Sequence, residues 1–158
     1  MDITVRENYG SKLRVRVCGI CFQQDRLLLV NHRGLQDGPF WAPPGGGMEF
    51  GWSAEENLRR EFREETGLTI QVGRLLFVTE FLRPPLHALE LFYEVTFEGG
   101  SLRVGQDPEL GTAPQQIQDV QFMECSAIDA LPAEHKHGAF KLAGMADKIG
   151  RLNGYFLI

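Results

Sequence analysis

The chain has little of what would tie it to a disulfide framework, a membrane or a nucleic-acid duplex. Its three cysteines, Cys18, Cys21 and Cys125, cannot all pair and are too few for a disulfide scaffold, so they are expected to be reduced. Cys18 and Cys21 form a C-x-x-C, but no second pair stands at zinc spacing. They lie in an apolar strand pattern, where residues three apart face opposite sides, so one is expected in the core and the other on the surface. No apolar run approaches the length of a membrane span, and Met1 to Asn8 lacks the apolar core of a secretion signal. Basic residues are not in surplus: the net charge of −5 argues against a duplex nucleic-acid binder and leaves small molecules as the expected partners. Repeats, linkers and low-complexity tracts are absent. With 158 residues, 43% of them hydrophobic and 23% charged, the sequence reads as one globular domain over 1–158, soluble and cytoplasmic.

What the chain does have is concentrated between Gly45 and Leu68, where a glycine loop feeds an acidic helix. Ser53 and Glu56 form a capping box that satisfies the first free N–H groups of that helix. Gly67 is placed to end it in the left-handed conformation, so the spacing predicts a helix from Ala54 to Thr66. At 100° per residue Glu61, Glu64 and Glu65 fall within an arc of about 100°, while Leu58 and Phe62 occupy the adjoining arc and can dock on a core. Clustered glutamates repel by a few tenths of a kcal/mol per i,i+4 pair, which calls for a neutralising partner. A divalent cation would serve, and a hard, oxygen-rich site suits Mg²⁺ or Mn²⁺ sharing its shell with substrate phosphates. The competing explanation is a solvated face balanced by Arg59, Arg60 and Arg63.

The spacing decides against that competitor, because the stretch resembles the signature of the Nudix hydrolase family. That signature is a Gly, five residues, Glu, seven residues, Arg-Glu, a hydrophobe, any residue, Glu-Glu, any residue, Gly and a hydrophobe. Gly46, Arg60, Glu61, Phe62, Glu64, Glu65, Gly67 and Leu68 stand at the matching positions, and Pro44-Gly45 and Glu49-Phe50-Gly51 also look like the family. One fixed position departs: Trp52 stands where the family carries its first glutamate, and indole accepts no hydrogen bond. Glu49 or Glu56 could compensate, and Glu56, four residues before Arg60, is spaced to orient that arginine.

The resemblance implies a metal-dependent hydrolase that cleaves the pyrophosphate of a nucleoside diphosphate linked to another group, of the nucleotide sugar, ADP-ribose or nucleoside triphosphate type. It implies that Glu61, Glu64 and Glu65 ligate Mg²⁺ or Mn²⁺ with the Gly45 carbonyl, that Arg60 orients the glutamates, and that Glu61 or a loop acid such as Glu109 is the general base. Glu109 is also a candidate metal ligand. Substrate contacts are expected from residues outside the signature, among them Arg33, Phe40, Glu49 and Arg83. A homodimer is compatible with the resemblance. The alternative is a non-catalytic nucleotide-binding or sensor domain, motivated by Trp52; a purely structural acidic helix leaves the joint occurrence of loop, cap and glutamates unexplained.

Around this element the pattern predicts a hairpin of Leu13–Phe22 and Arg26–Val30, long strands over Thr69–Leu82 and Leu89–Phe97 joined through Arg83-Pro84-Pro85, and a strand over Ile117–Phe122. Trp41 is expected in the core. A short helix capped by Ser126 and a last helix from Ala139 to Leu152 should follow, with His135-Lys136-His137 a surface turn between them. The order implies an α/β fold, and the resemblance specifies an α/β/α sandwich around a central mixed sheet.

Overall fold

The computed structural model describes residues 3–33, 37–105 and 117–158. The element order is α1 (Ile3–Tyr9), β1 (Lys12–Gln23), β2 (Arg26–His32), β3 (Phe40–Ala42), β4 (Gly45–Gly47), α2 (Ala54–Thr66), β5 (Leu68–Arg83), β6 (Leu86–Gly100), β7 (Ile117–Glu124), α3 (Cys125–Ala130), α4 (Ala139–Ala143) and β8 (Gly154–Leu157), with single 3₁₀ segments at Ala133–His135 and Ala146–Arg151. The strands run in the order β3-β2-β1-β6-β5-β8, with β4 on β1 and β7 on β2. β1 pairs with β6 in parallel and with β2 and β4 antiparallel, so the large central sheet is mixed, as expected. Among the described residues no helix is long and apolar enough to cross a membrane.

Period-two alternation sends the side chains of β1 and β2 to opposite faces, and both faces are covered. Val17, Cys21, Leu28 and Val30 join Leu58 and Phe62 of α2 in one core; Cys18, Ile20, Leu27 and Leu29 join Ile128, Phe140 and Ile149 in the other. This corrects the reading of the cysteine pair. Cys18 and Cys21 do face opposite ways, but each meets a packed layer and both are buried, as is Cys125; all three are free thiols. Burial raises the Cys21 thiol to about 11. Trp41 is buried as expected.

Helix α2 forms where the sequence places it. The Ser53 N–H donates to Glu56 Oε2 at 2.8 Å and the Glu56 N–H to Ser53 Oγ at 3.2 Å, which completes the capping box, and the chain turns left-handed at Gly67 (φ 76°). The C-terminal third departs from expectation. Residues 139–152 do not make one helix: Gly144 turns left-handed (φ 78°) after α4, and the chain resumes as a 3₁₀ segment. α3 begins at Cys125 with Glu124 at its N-cap and no side-chain cap, so Ser126 lies inside the helix. His137 is buried: its N–H donates to the Trp41 carbonyl at 2.9 Å, pinning the presumed surface turn onto β3.

Phe62 is fully buried and fills the space between α2 and the sheet. Phe62→Ala should lower the free energy of unfolding by about 3–5 kcal/mol; urea denaturation measures it, and a change under about 1 kcal/mol would mean that α2 does not depend on this packing.

Candidate active site

Strand register sets three rows of residues beneath the site. Across β1, β6 and β5 the partners are Arg14–Ala88–Phe81, Arg16–Glu90–Thr79 and Cys18–Phe92–Phe77. Beside them lies a cavity of about 400 Å³ that is also lined by Gly45, Gly46 and Gly47 of β4 and by Glu61 and Glu65 of α2.

The glycine turn is bound to the helix by the helix's own carboxylates. The Gly45 N–H donates to Glu65 Oε2 at 2.9 Å in a buried contact. A Cβ on Gly46 would lie 2.5 Å from the Glu61 carboxylate carbon, so only glycine lets Glu61 lie flat on this backbone. Arg60 bridges the two elements: Nη2 donates to Glu61 Oε1 at 2.8 Å and to the Gly47 carbonyl at 3.3 Å, and Nη1 pairs with Glu49. Glu64 stands 3.9 Å from Arg60 Nε. Glu49 therefore takes the partnership with Arg60 that the i,i+4 spacing had suggested for Glu56, whose carboxylate is held at the cap by Ser53.

The structure thus brings Gly45, Glu61, Glu65, Phe40 and Arg83 to the cavity, while Glu64, Glu49 and Arg33 are not part of its wall. Arg33 is exposed beyond the end of β2. Glu109 lies outside the described residues. Trp52 leaves its ring half-exposed outside the cavity, and its carbonyl accepts from Asn57 Nδ2 at 3.1 Å. Among the described residues no three His, Cys, Asp or Glu side chains are grouped as a ready-made metal site. The two glutamates on the wall nonetheless present hard oxygens beside glycine backbone, a donor set suited to a cation that keeps waters and takes phosphate oxygens.

Several residues were missed by sequence reasoning. Asn57, fully buried, accepts from the Glu49 N–H at 2.9 Å and donates to the Ser53 carbonyl at 2.8 Å, stapling the loop to the helix. Glu90, buried on the cavity floor, accepts from Arg16 Nη1 at 2.8 Å, from His137 Nε2 at 2.8 Å and from the Thr79 hydroxyl at 3.2 Å. His137 Nδ1 accepts the Ala139 N–H at 3.1 Å, which leaves Nε2 as the donor to Glu90. Burial alone would push Glu90 up, but His137, Arg16 and Thr79 outweigh it and bring the carboxyl down to about 2 from its ordinary 4.5. Burial likewise works against the Arg16 charge, and Glu90 overcomes it.

A mixed sheet with a capped acidic helix against a glycine turn, beside a cavity lined by both carboxylates and guanidinium groups, is an α/β domain, and the comparisons identify its family. The NUDIX domain model matches residues 12–143, so the chain belongs to this family and is a Nudix hydrolase. An ADP-ribose pyrophosphatase of Methanocaldococcus jannaschii is 28% identical over 124 residues, covering 77% of this chain and 68% of its own. An 8-oxo-dGTP diphosphatase of Proteus vulgaris is 31% identical over 103 residues, covering 60% and 91%. The crystal structure of an ADP-ribose pyrophosphatase from Streptococcus suis superposes with a TM-score of 0.62 at 21% identity, covering 90% of this chain and 98% of that one.

Because the Glu90 carboxyl is depressed in the folded state, its contribution to stability is present above about pH 4.5 and is lost as pH falls towards 2. Unfolding free energies across this range should decline more steeply for wild type than for Glu90→Gln; parallel profiles would show that the network does not hold Glu90 ionised.

Proposed function

We propose that this protein is a metal-dependent pyrophosphohydrolase of nucleoside diphosphates linked to a further group, using Mg²⁺ or Mn²⁺. The observation that carries the reading is the pair of buried carboxylates on one cavity wall, Glu65 fixed by the Gly45 N–H and Glu61 by Arg60. Glu61, Glu65 and the Gly45 carbonyl would hold the cation, with Glu64 joining from the next step of the helix. A cation bound there supplies neutralisation of the pyrophosphate charge and acidifies the attacking water. The chain's own groups do the positioning. Arg60 holds Glu61 against the glycine turn, which aims the carboxylate at the cavity and suits it as the general base, while Glu64 keeps close to the same guanidinium. Phe40 and Arg83, which line the cavity, would meet the substrate.

The Methanocaldococcus jannaschii ADP-ribose pyrophosphatase aligns over 77% of this chain and the 8-oxo-dGTP diphosphatase over 60%, which supports ADP-ribose as the first substrate to test. The non-catalytic reading rested on Trp52. Its ring stays outside the cavity and Glu49 supplies a carboxylate to Arg60, so the substitution leaves the carboxylate wall intact.

Glu65→Gln keeps an oxygen to accept the Gly45 N–H, so the fold should survive while turnover of ADP-ribose falls by about 10²-fold or more. Chelation should stop the wild-type enzyme and added Mg²⁺ restore it. Near-wild-type turnover by Glu65→Gln would contradict the reading.

A further inference from the structure

The strands that carry the cavity residues have a second face, and that face is apolar where it meets water. Arg14, Arg16 and Cys18 of β1 line the cavity, so Leu13, Val15 and Val17 point the opposite way, to the side of the sheet that holds α2. Register continues each position into a row across the neighbouring strands: Val17–Leu91–Val78–Tyr155, Val15–Leu89–Glu80–Leu157 and Leu13–His87–Leu82. Val17 is fully buried with Leu58 and Phe62 of α2. The cover fades along the rows: Leu91, Leu89 and Val78 are half-buried, while Val15 is 39%, Leu13 61%, Tyr155 58% and Leu157 65% exposed. A sheet face left to water normally carries polar residues. Apart from the Tyr155 hydroxyl, the only polar side chains in these rows are Glu80 and His87, and they meet each other at 2.7 Å. Single exposed leucines are ordinary, but these are neighbours in register and together present on the order of 600 Å² of apolar surface, the upper end of what a monomer shows.

From this face we infer a homodimer in which two copies of the chain pack these rows against each other about a two-fold axis. The inference goes beyond the hydrolase reading and does not depend on it. Area sets the scale: with its polar edge added, the patch approaches the roughly 800 Å² that each partner gives to a stable interface. Charge sets the partner. The chain carries a net charge of −5, so two copies repel except across a neutral surface, and this face holds a single carboxylate already partnered by an imidazole. A two-fold axis between Glu80 and His87 sets each copy's carboxylate against the other's imidazole, so the one polar pair of the face is complementary to itself. The dimer covers the second face of the sheet, and a second sheet then backs the strands that hold Arg16, Glu90 and Thr79 beside the cavity.

Sedimentation velocity of the full chain from about 1 to 100 µM tests this. Wild type should sediment as a dimer, at twice the chain mass of 17.8 kDa. Val15→Asp and Leu157→Asp place charges at the two ends of the middle row, on side chains exposed enough that each monomer should keep its circular dichroism, and each should raise the dimer dissociation constant a hundredfold or more. Met145→Asp is the control: comparably exposed, it adjoins the 3₁₀ segment packed on the opposite face of the sheet and should stay dimeric. Leu157→Asp decides alone if Val15→Asp does not fold. A wild type that stays monomeric at the highest concentration overturns the inference; if that monomer also floats with phosphatidylcholine vesicles, the face belongs to a lipid surface instead. A dimer that survives both aspartate variants, or that Met145→Asp dissociates equally, puts the interface elsewhere and overturns it as well.

Discussion

The bond from the Gly45 N–H to Glu65 Oε2, buried and 2.9 Å long, joins the acidic helix to the glycine turn, and the site's geometry follows from it. A buried carboxylate bonded to a backbone donor is confined to one position, and the turn is confined with it. Glu61 then lies against Gly46 with Arg60 behind it, and Asn57 closes the loop at the helix entrance. A Cβ on Gly46 would displace the Glu61 carboxylate from this position. The packing of Leu58 and Phe62 on the sheet carries this assembly to the cavity wall.

On the other side of the cavity charge is balanced internally. Arg16 and Glu90 sit in register on neighbouring strands and neutralise one another, and Thr79 and His137 supply Glu90 with two further donors. Glu90 is buried and Arg16 half-buried, so removing the arginine would leave an uncompensated buried carboxylate. One wall is rich in carboxylate oxygens and the facing floor in guanidinium groups. This polarity suits the proposed substrate, whose phosphates would approach a cation at the acidic wall.

Helix α2 was legible because everything that defines it is local: the Ser53–Glu56 box, the stop at Gly67, and the step from Leu58 to Phe62 lie within fifteen residues of sequence. The long strands were legible from alternation, although alternation could not say that both faces are covered, which is why the one cysteine of Cys18 and Cys21 expected at the surface is buried instead. The Arg16–Glu90–His137 network was not legible, since its partners are 74 and 47 residues apart and meet only through the parallel pairing of β1 with β6 and the anchoring of His137 on β3. Short elements also escaped: α1 and β8 are mostly exposed and carry no sustained apolar period, and the break at Gly144 interrupts an otherwise helical apolar pattern. Glu61 and Glu65, spaced four apart on α2, were expected on one helix face, and both line the cavity.

The most direct test of the account is a crystal structure grown with Mn²⁺ and a non-hydrolysable nucleoside diphosphate ester, in which anomalous scattering locates the metal. The account predicts manganese bound to the Glu61 and Glu65 carboxylates and to a phosphate oxygen of the ester. A bound ester with manganese away from both glutamates, or with none, would contradict it.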